Sequence, residues 1–139
     1  MIHLVYVSSA TEEMSEEDLL HLLEQSRDRN KRQNVTGMLL YASGNFFQVL
    51  EGVTKDVEEI YESIVNDKRN KGNTVLLKEN IKQRMFPNWS MGFKHLTDKH
   101  SNYLEGYTDF LDSSKEPEEY LDRKDKVLLL LNQFKDGNL

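Results

Sequence analysis

The sequence predicts an α+β fold, a ferredoxin-like β-α-β-β-α-β-β sandwich with two C-terminal helices covering the far face of the sheet. Three observations carry that expectation. Short β-rich runs take turns with two stretches whose apolar residues recur at helical spacing; the run Phe46–Glu51 is apolar on both faces; and two further helical patterns follow the last strand. A sheet apolar on both sides needs a layer on each. The two early helices supply one layer, which leaves the C-terminal pair as the only candidates for the other.

Ile2 to Ser8 alternates, with Ile2, Leu4 and Tyr6 on one face and His3, Val5 and Val7 on the other, as a strand of period two requires. Ser15-Glu16-Glu17-Asp18 reads as a capping box, and Leu19, Leu22, Leu23 and Ser26 carry a helix to about Arg29. The acidic cluster from Glu12 to Asp18 suits the positive end of that helix. Val35 to Tyr41 and Asn45 to Glu51 are two β-rich runs around the hairpin signal Ala42-Ser43-Gly44. Thr54 is the expected cap of a second helix, in which Val57, Ile60, Tyr61, Ile64 and Val65 make one apolar stripe.

Thr74 to Ile81 and Trp89 to Leu96 then read as a second strand pair joined across Arg84-Met85-Phe86-Pro87. The closing helical patterns are Tyr103, Leu104, Tyr107, Phe110 and Leu111, then Tyr120, Leu121, Val127, Leu128, Leu131 and Phe134. Pro117 opens the second of these and Gly137 ends it. No repeat or long linker divides the chain, so the expected organisation is a compact unit over 1–97 and a helical extension over 98–139 packed on it.

A chain of 139 residues has room for one core. Its net charge is −6, from 18 Lys+Arg against 24 Asp+Glu, and no basic residues gather on one face. Nucleic acid is therefore not an expected partner. The longest apolar run, Val127 to Leu131, is far too short for a bilayer, and Met1-Ile2-His3 does not open a leader. The expectation is a cytoplasmic protein without a membrane partner. With no cysteine, disulfides, thiolate nucleophiles and Cys-type zinc sites are excluded. His3, His21, His95 and His100 have no paired spacing, and there is no Ser-His-Asp grouping, defensible carboxylate pair or glycine-rich phosphate loop. No enzyme activity and no metal are expected.

The chemistry lies elsewhere. Gln48 shares its strand face with Phe46 and Leu50, which turns an amide into the apolar layer beneath the two main helices. An unpaired amide there costs roughly 1–3 kcal/mol, so it needs partners on both its oxygen and its nitrogen. Tyr6 faces the same layer, and a buried hydroxyl also needs a partner. Asn30 stands at the end of the first helix, where a plain C-cap is an equally good reading. Asp67 and Arg69 at the end of the second helix read equally well as a surface pair. Trp89 and Met91, two apart on one strand, read alone as core. Three polar groups converging on one apolar layer nevertheless call for a flat ligand with several donors and acceptors.

Taken together, Tyr6-Val7-Ser8, Asn30, Phe46 to Gly52, Asp67-Lys68-Arg69 and Trp89-Ser90-Met91 resemble a BLUF domain, a blue-light sensor using FAD, of the short stand-alone type. The resemblance covers about residues 2 to 96 and implies that 1–97 is the flavin-binding unit. It implies that Tyr6 is the redox partner of the flavin and Gln48 the switch whose hydrogen bonds to N5 and O4 rearrange. Asn30 would hold the C4 carbonyl and N3–H edge, Leu22 and Ile64 would pack on the two ring faces, Arg69 would meet the C2 carbonyl, and Asp67 completes an Asp-x-Arg pattern. Trp89 and Met91 would carry the signal toward the C-terminal helices. Two departures stand out: Asn70 occupies a position where histidine is frequent, and Leu22 one where isoleucine is frequent.

The resemblance further implies non-covalent FAD, with FMN or riboflavin able to substitute, and light-driven electron and proton transfer from Tyr6. The absence of cysteine excludes a flavin–cysteine adduct. A homo-oligomer is expected, and with no effector attached the signal is expected to pass to a separate protein. The alternative is a cofactor-free interaction module of the same fold, in which Tyr6, Asn30 and Gln48 are idle.

Overall fold

The computed structural model describes residues 1–42, 44–88 and 90–95. They form β1 (Ile2–Ala10), α1 (Glu16–Arg32), β2 (Thr36–Ala42), β3 (Asn45–Gly52), α2 (Thr54–Val65), β4 (Asn70–Asn80) and β5 (Gly92–His95). The strands make one sheet in the order β4-β1-β3-β2-β5. β1 is antiparallel to β3 and β4, β2 is antiparallel to β3, and β5 is parallel to β2 at the far edge. The first six elements are the expected sandwich. The expected C-terminal helices and Trp89 lie outside the described residues.

The capping box forms as the sequence requires: Asp18 N–H donates to Ser15 Oγ, and Ser15 N–H donates to Asp18 Oδ2, each at 3.1 Å. α1 runs three residues past its expected end, to Arg32, and turns out through Asn34 at φ 54°, a left-handed position that asparagine tolerates. Asn30 is thus inside the last turn rather than its cap. α2 corrects a second expectation, because Val53 is its N-cap and Thr54 lies inside the helix. It ends at Val65, so Asp67 and Arg69 belong to the connection into β4, where residues have more freedom to reach sideways.

The two late strands are not a pair. β4 begins at Asn70, earlier than expected, and zips against β1, while β5 crosses to the opposite edge and lies beside β2. A hairpin signal cannot distinguish these cases, because a long connection reads the same whether it turns back or crosses over. Met91 accordingly precedes the last strand rather than lying on its face.

One face of the sheet gives Ile2, Leu4, Tyr6, Leu39, Phe46 and Leu50 to a core with Leu19, Leu23, Val57 and Ile60 of the helices. Val5, Val7, Leu40, Phe47 and Val49 on the other face are buried as well. Gly37 is required where β2 pairs closely with β3: a Cβ there would lie 2.0 Å from the Val49 carbonyl oxygen. Among the described residues no helix is long and apolar enough to cross a membrane.

Candidate functional site

β1 and β3 lie in a register that sets Tyr6 directly opposite Gln48, close enough for their side chains to meet on the helix-facing side. The Tyr6 hydroxyl donates to Gln48 Oε1. Gln48 Nε2 in turn donates to the Met91 sulfur at 3.5 Å. All three residues are buried. The amide thus has a donor at its oxygen and a weak acceptor at its nitrogen, which fixes its orientation. Thioether sulfur is a poor acceptor, so the nitrogen side is the less firmly held of the two.

Burial pushes the Tyr6 hydroxyl well above the ordinary tyrosine range. The Arg29 guanidinium opposes that shift, while Tyr61 and Asp67 add to it. Tyr6 therefore keeps its proton, and remains a donor to Gln48, throughout the range in which proteins work. Tyr61 of α2 packs edge-on against its ring, with centroids 5.1 Å apart.

Above this pair, between α1 and α2, opens a cavity of about 350 Å³, within the range of small-molecule sites. Its floor includes Tyr6, Gln48, Leu39 and Phe46; Leu22 stands on the α1 wall and Ile64 on the α2 wall. Asp67 and Arg69 close one side. Arg69 is gripped by Asp67 through Nε at 3.0 and 3.1 Å and Nη2 at 2.5 Å, and its Nη1 reaches Gln25 of α1 at 3.0 Å. The Arg69 side chain beside it holds the Asp67 carboxyl below the usual carboxylate range. The pair is therefore a strut between the α2–β4 connection and α1, a stronger arrangement than the plain surface pair.

Of the expected site residues, the fold brings Tyr6, Leu22, Gln48, Ile64, Asp67 and Arg69 to the cavity lining. Asn30 is fully buried nearby but is not part of that lining. Its Nδ2 donates to the Ser90 carbonyl at 2.7 Å, and among the described residues its Oδ1 has no hydrogen-bond partner. An orphaned buried acceptor calls for a donor that the described residues do not supply.

Gln25, Asp28, Arg29 and Arg32 of α1 line the cavity without having been expected there. Arg29 lines the cavity with its buried Nε unpartnered, and burial lowers its proton affinity. Continuing the helical stripe of Leu22 and Ser26 by one step would have found it. Asn70, noted only as a departure, lines the cavity too. Its Nδ2 donates to the carbonyls of Ile64 and Asp67 at 2.9 Å each, which ties off the end of α2. Among the described residues no cluster suited to a metal ion forms.

A family model described as sensors of blue light using FAD, BLUF, matches residues 1–92. The chain is 38% identical over 86 residues to the photoactivated adenylate cyclase subunit alpha of Euglena gracilis, covering 62% of this chain and 8% of that protein. It is 33% identical over 95 residues to the subunit beta of Euglena longa, covering 67% and 11%. The chain thus spans about a tenth of the length of these curated relatives. Among solved structures it is similar to the dark state of BlrB, a BLUF protein, with a TM-score of 0.82 and 26% identity over 98% of this chain and 96% of that one. A bacterial light-regulated adenylyl cyclase matches with a TM-score of 0.75 and 31% identity, over 95% of this chain and 40% of that one.

Proposed function

The chain belongs to the BLUF family of blue-light sensors using FAD, and from that premise we propose that it binds FAD non-covalently and signals through Tyr6, Gln48 and Met91. The observation that carries this reading is the buried hydrogen-bond chain from Tyr6 through Gln48 to Met91 on the floor of a cavity between two helices.

The residues present fit a flavin ring. Leu22 and Ile64 offer aliphatic walls from opposite helices, suited to the two faces of a planar group. The buried, unpartnered Asn30 Oδ1 is an acceptor for a ring-edge N–H, and Arg69 is a donor braced for a ring carbonyl. When bound, the flavin would supply the blue-light absorption and an electron-accepting ring. Tyr6 would be the residue that gives up an electron and its hydroxyl proton, and that hydroxyl already donates to Gln48 Oε1. Gln48 is the element that changes partners: among the described residues its nitrogen is held by a sulfur alone, so this half of the amide is the easier to release. Leu22, Ile64 and the surrounding apolar residues exclude water, which keeps the proton within the Tyr6–Gln48 pair.

The signal then passes along Met91 into β5, from there to the C-terminal segment 98–139, and onward to a separate protein. A homo-oligomer is part of this reading. The cyclase activity in the relatives' names is a property of those longer proteins.

Acid or heat release of the bound material, followed by a light-minus-dark spectrum, tests the proposal. FAD in the supernatant and a small, reversible red shift are expected. A chain expressed with abundant riboflavin that releases no flavin, or whose spectrum is indifferent to blue light, would overturn it.

A further inference from the structure

Glu51 lies three residues after Gln48 on β3 and is fully buried. Alternation places it on the opposite sheet face, with Phe47 and Val49. A carboxylate in such a place is costly unless hydrogen bonds replace its water. Here two backbone amides do so: Met85 N–H donates to Oε2 at 2.9 Å and Phe86 N–H donates to Oε1 at 2.8 Å. Arg84 adds a second grip, donating to the Glu51 carbonyl at 3.1 Å, Thr36 Oγ1 at 2.9 Å and the Asn34 carbonyl at 2.8 Å. The start of the crossover from β4 to β5 is thereby fastened to the adjoining ends of β2 and β3.

The far end of the same crossover is fastened to the site. Asn30 Nδ2 holds the Ser90 carbonyl at 2.7 Å, Arg27 Nε holds the Met91 carbonyl at 3.0 Å, and the Met91 sulfur accepts from Gln48. Phe86 and Met91 are both buried. They are five residues apart in sequence, about 17 Å of chain at most, a short connection along which a shift at one end can reach the other.

We infer that Glu51 is a positioning residue for the photochemical site: by clamping Met85 and Phe86 it sets where the Met91 sulfur meets the Gln48 amide, and so how readily Gln48 changes partners. The inference rests on the blue-light reading above. Both backbone groups that bond the carboxylate are donors, so two acceptor oxygens match them, whereas an amide must turn its NH₂ against one N–H. Glu51→Gln therefore loosens the clamp with almost no change in size.

The test compares the purified full-length chain with Glu51→Gln and Arg84→Gln, each carrying FAD, by flavin content, light-minus-dark spectrum and dark recovery. Glu51→Gln is expected to keep its flavin and to recover roughly three- to tenfold faster, and Arg84→Gln to change in the same direction by less. A merely structural role lowers the melting temperature and leaves the recovery rate alone. Folded Glu51→Gln with the recovery and shift of the unmodified chain would overturn the inference. Should that variant not fold, Arg84→Gln decides: faster recovery supports the clamp and unchanged recovery refutes it. An unmodified chain without flavin or red shift refutes the photoreceptor reading instead, so the two failures are distinguishable.

Discussion

Tyr6 and Gln48 illustrate how two side chains of ordinary type acquire a specific relation from register alone. Neither is unusual in sequence, yet antiparallel pairing sets them face to face in a layer where each otherwise lacks a partner. Removing the hydroxyl or the amide should therefore spare the cavity and abolish the response. Tyr6→Phe is expected to retain FAD and to lose the light-induced red shift, since the proton donor is gone while the ring packing stays. Gln48→Leu should behave alike. Absorption difference spectra of the two flavin-loaded variants check this, and a normal shift in either contradicts the roles given to them. Alternation in β1 and β3 made both residues legible. Arg29 and Glu51 were not, because a charged residue inside an apolar pattern is ordinarily discounted as solvated, and only the tertiary fold shows what it touches.

Elements obey the sequence where local physics decides and depart from it where a distant partner does. The capping box of α1 is local and forms as read, and so does the stripe of α2 from Val57 to Ile64, while Val65, its last expected member, is exposed. The extra turn of α1 around the buried Asn30 and the transfer of β5 to the far edge are set by contacts sixty or so residues away in sequence, such as Asn30 with Ser90, and no window of residues encodes them. The β2–β3 pairing gives one clear test. Gly37→Ala drives a Cβ into the Val49 carbonyl, and backbone does not yield like a side-chain tip, so a loss of about 3 kcal/mol or more is expected, read as a lower denaturation midpoint. The α2–β4 connection gives another. Asp67 has its proton affinity lowered by Arg69, so its contribution to stability is present above the unfolded carboxylate value, near 3.8, and is lost as the pH falls further. Wild type minus Asp67→Asn, measured by denaturant unfolding, should thus give a difference at pH 7 that shrinks in acid. Since Arg69 is 39% exposed, salt should weaken it as well.

At the scale of the whole molecule the sheet is a partition with one buried face toward the cavity and another away from it. Gln48 and Met91 belong to the first; Phe47 and Val49, the neighbours of Gln48 along β3, belong to the second. A rearranged Gln48 amide can affect the second face only by changing backbone pairing in β3 or by moving Met91 and, with it, β5 beside β2. The second route is the looser one, because among the described residues the four-residue β5 is paired on one side only, whereas β3 is paired on both sides along its length. Illumination should therefore weaken amide protection in β5 and in residues 98–139, with β1 and β3 unchanged. Hydrogen exchange on the flavin-loaded chain, compared in darkness and under continuous blue light, measures this segment by segment. If protection from residue 89 to the C-terminus is the same in both conditions while the red shift is complete, output by way of β5 and the C-terminal segment is excluded, and the signal must leave through the helices that flank the cavity.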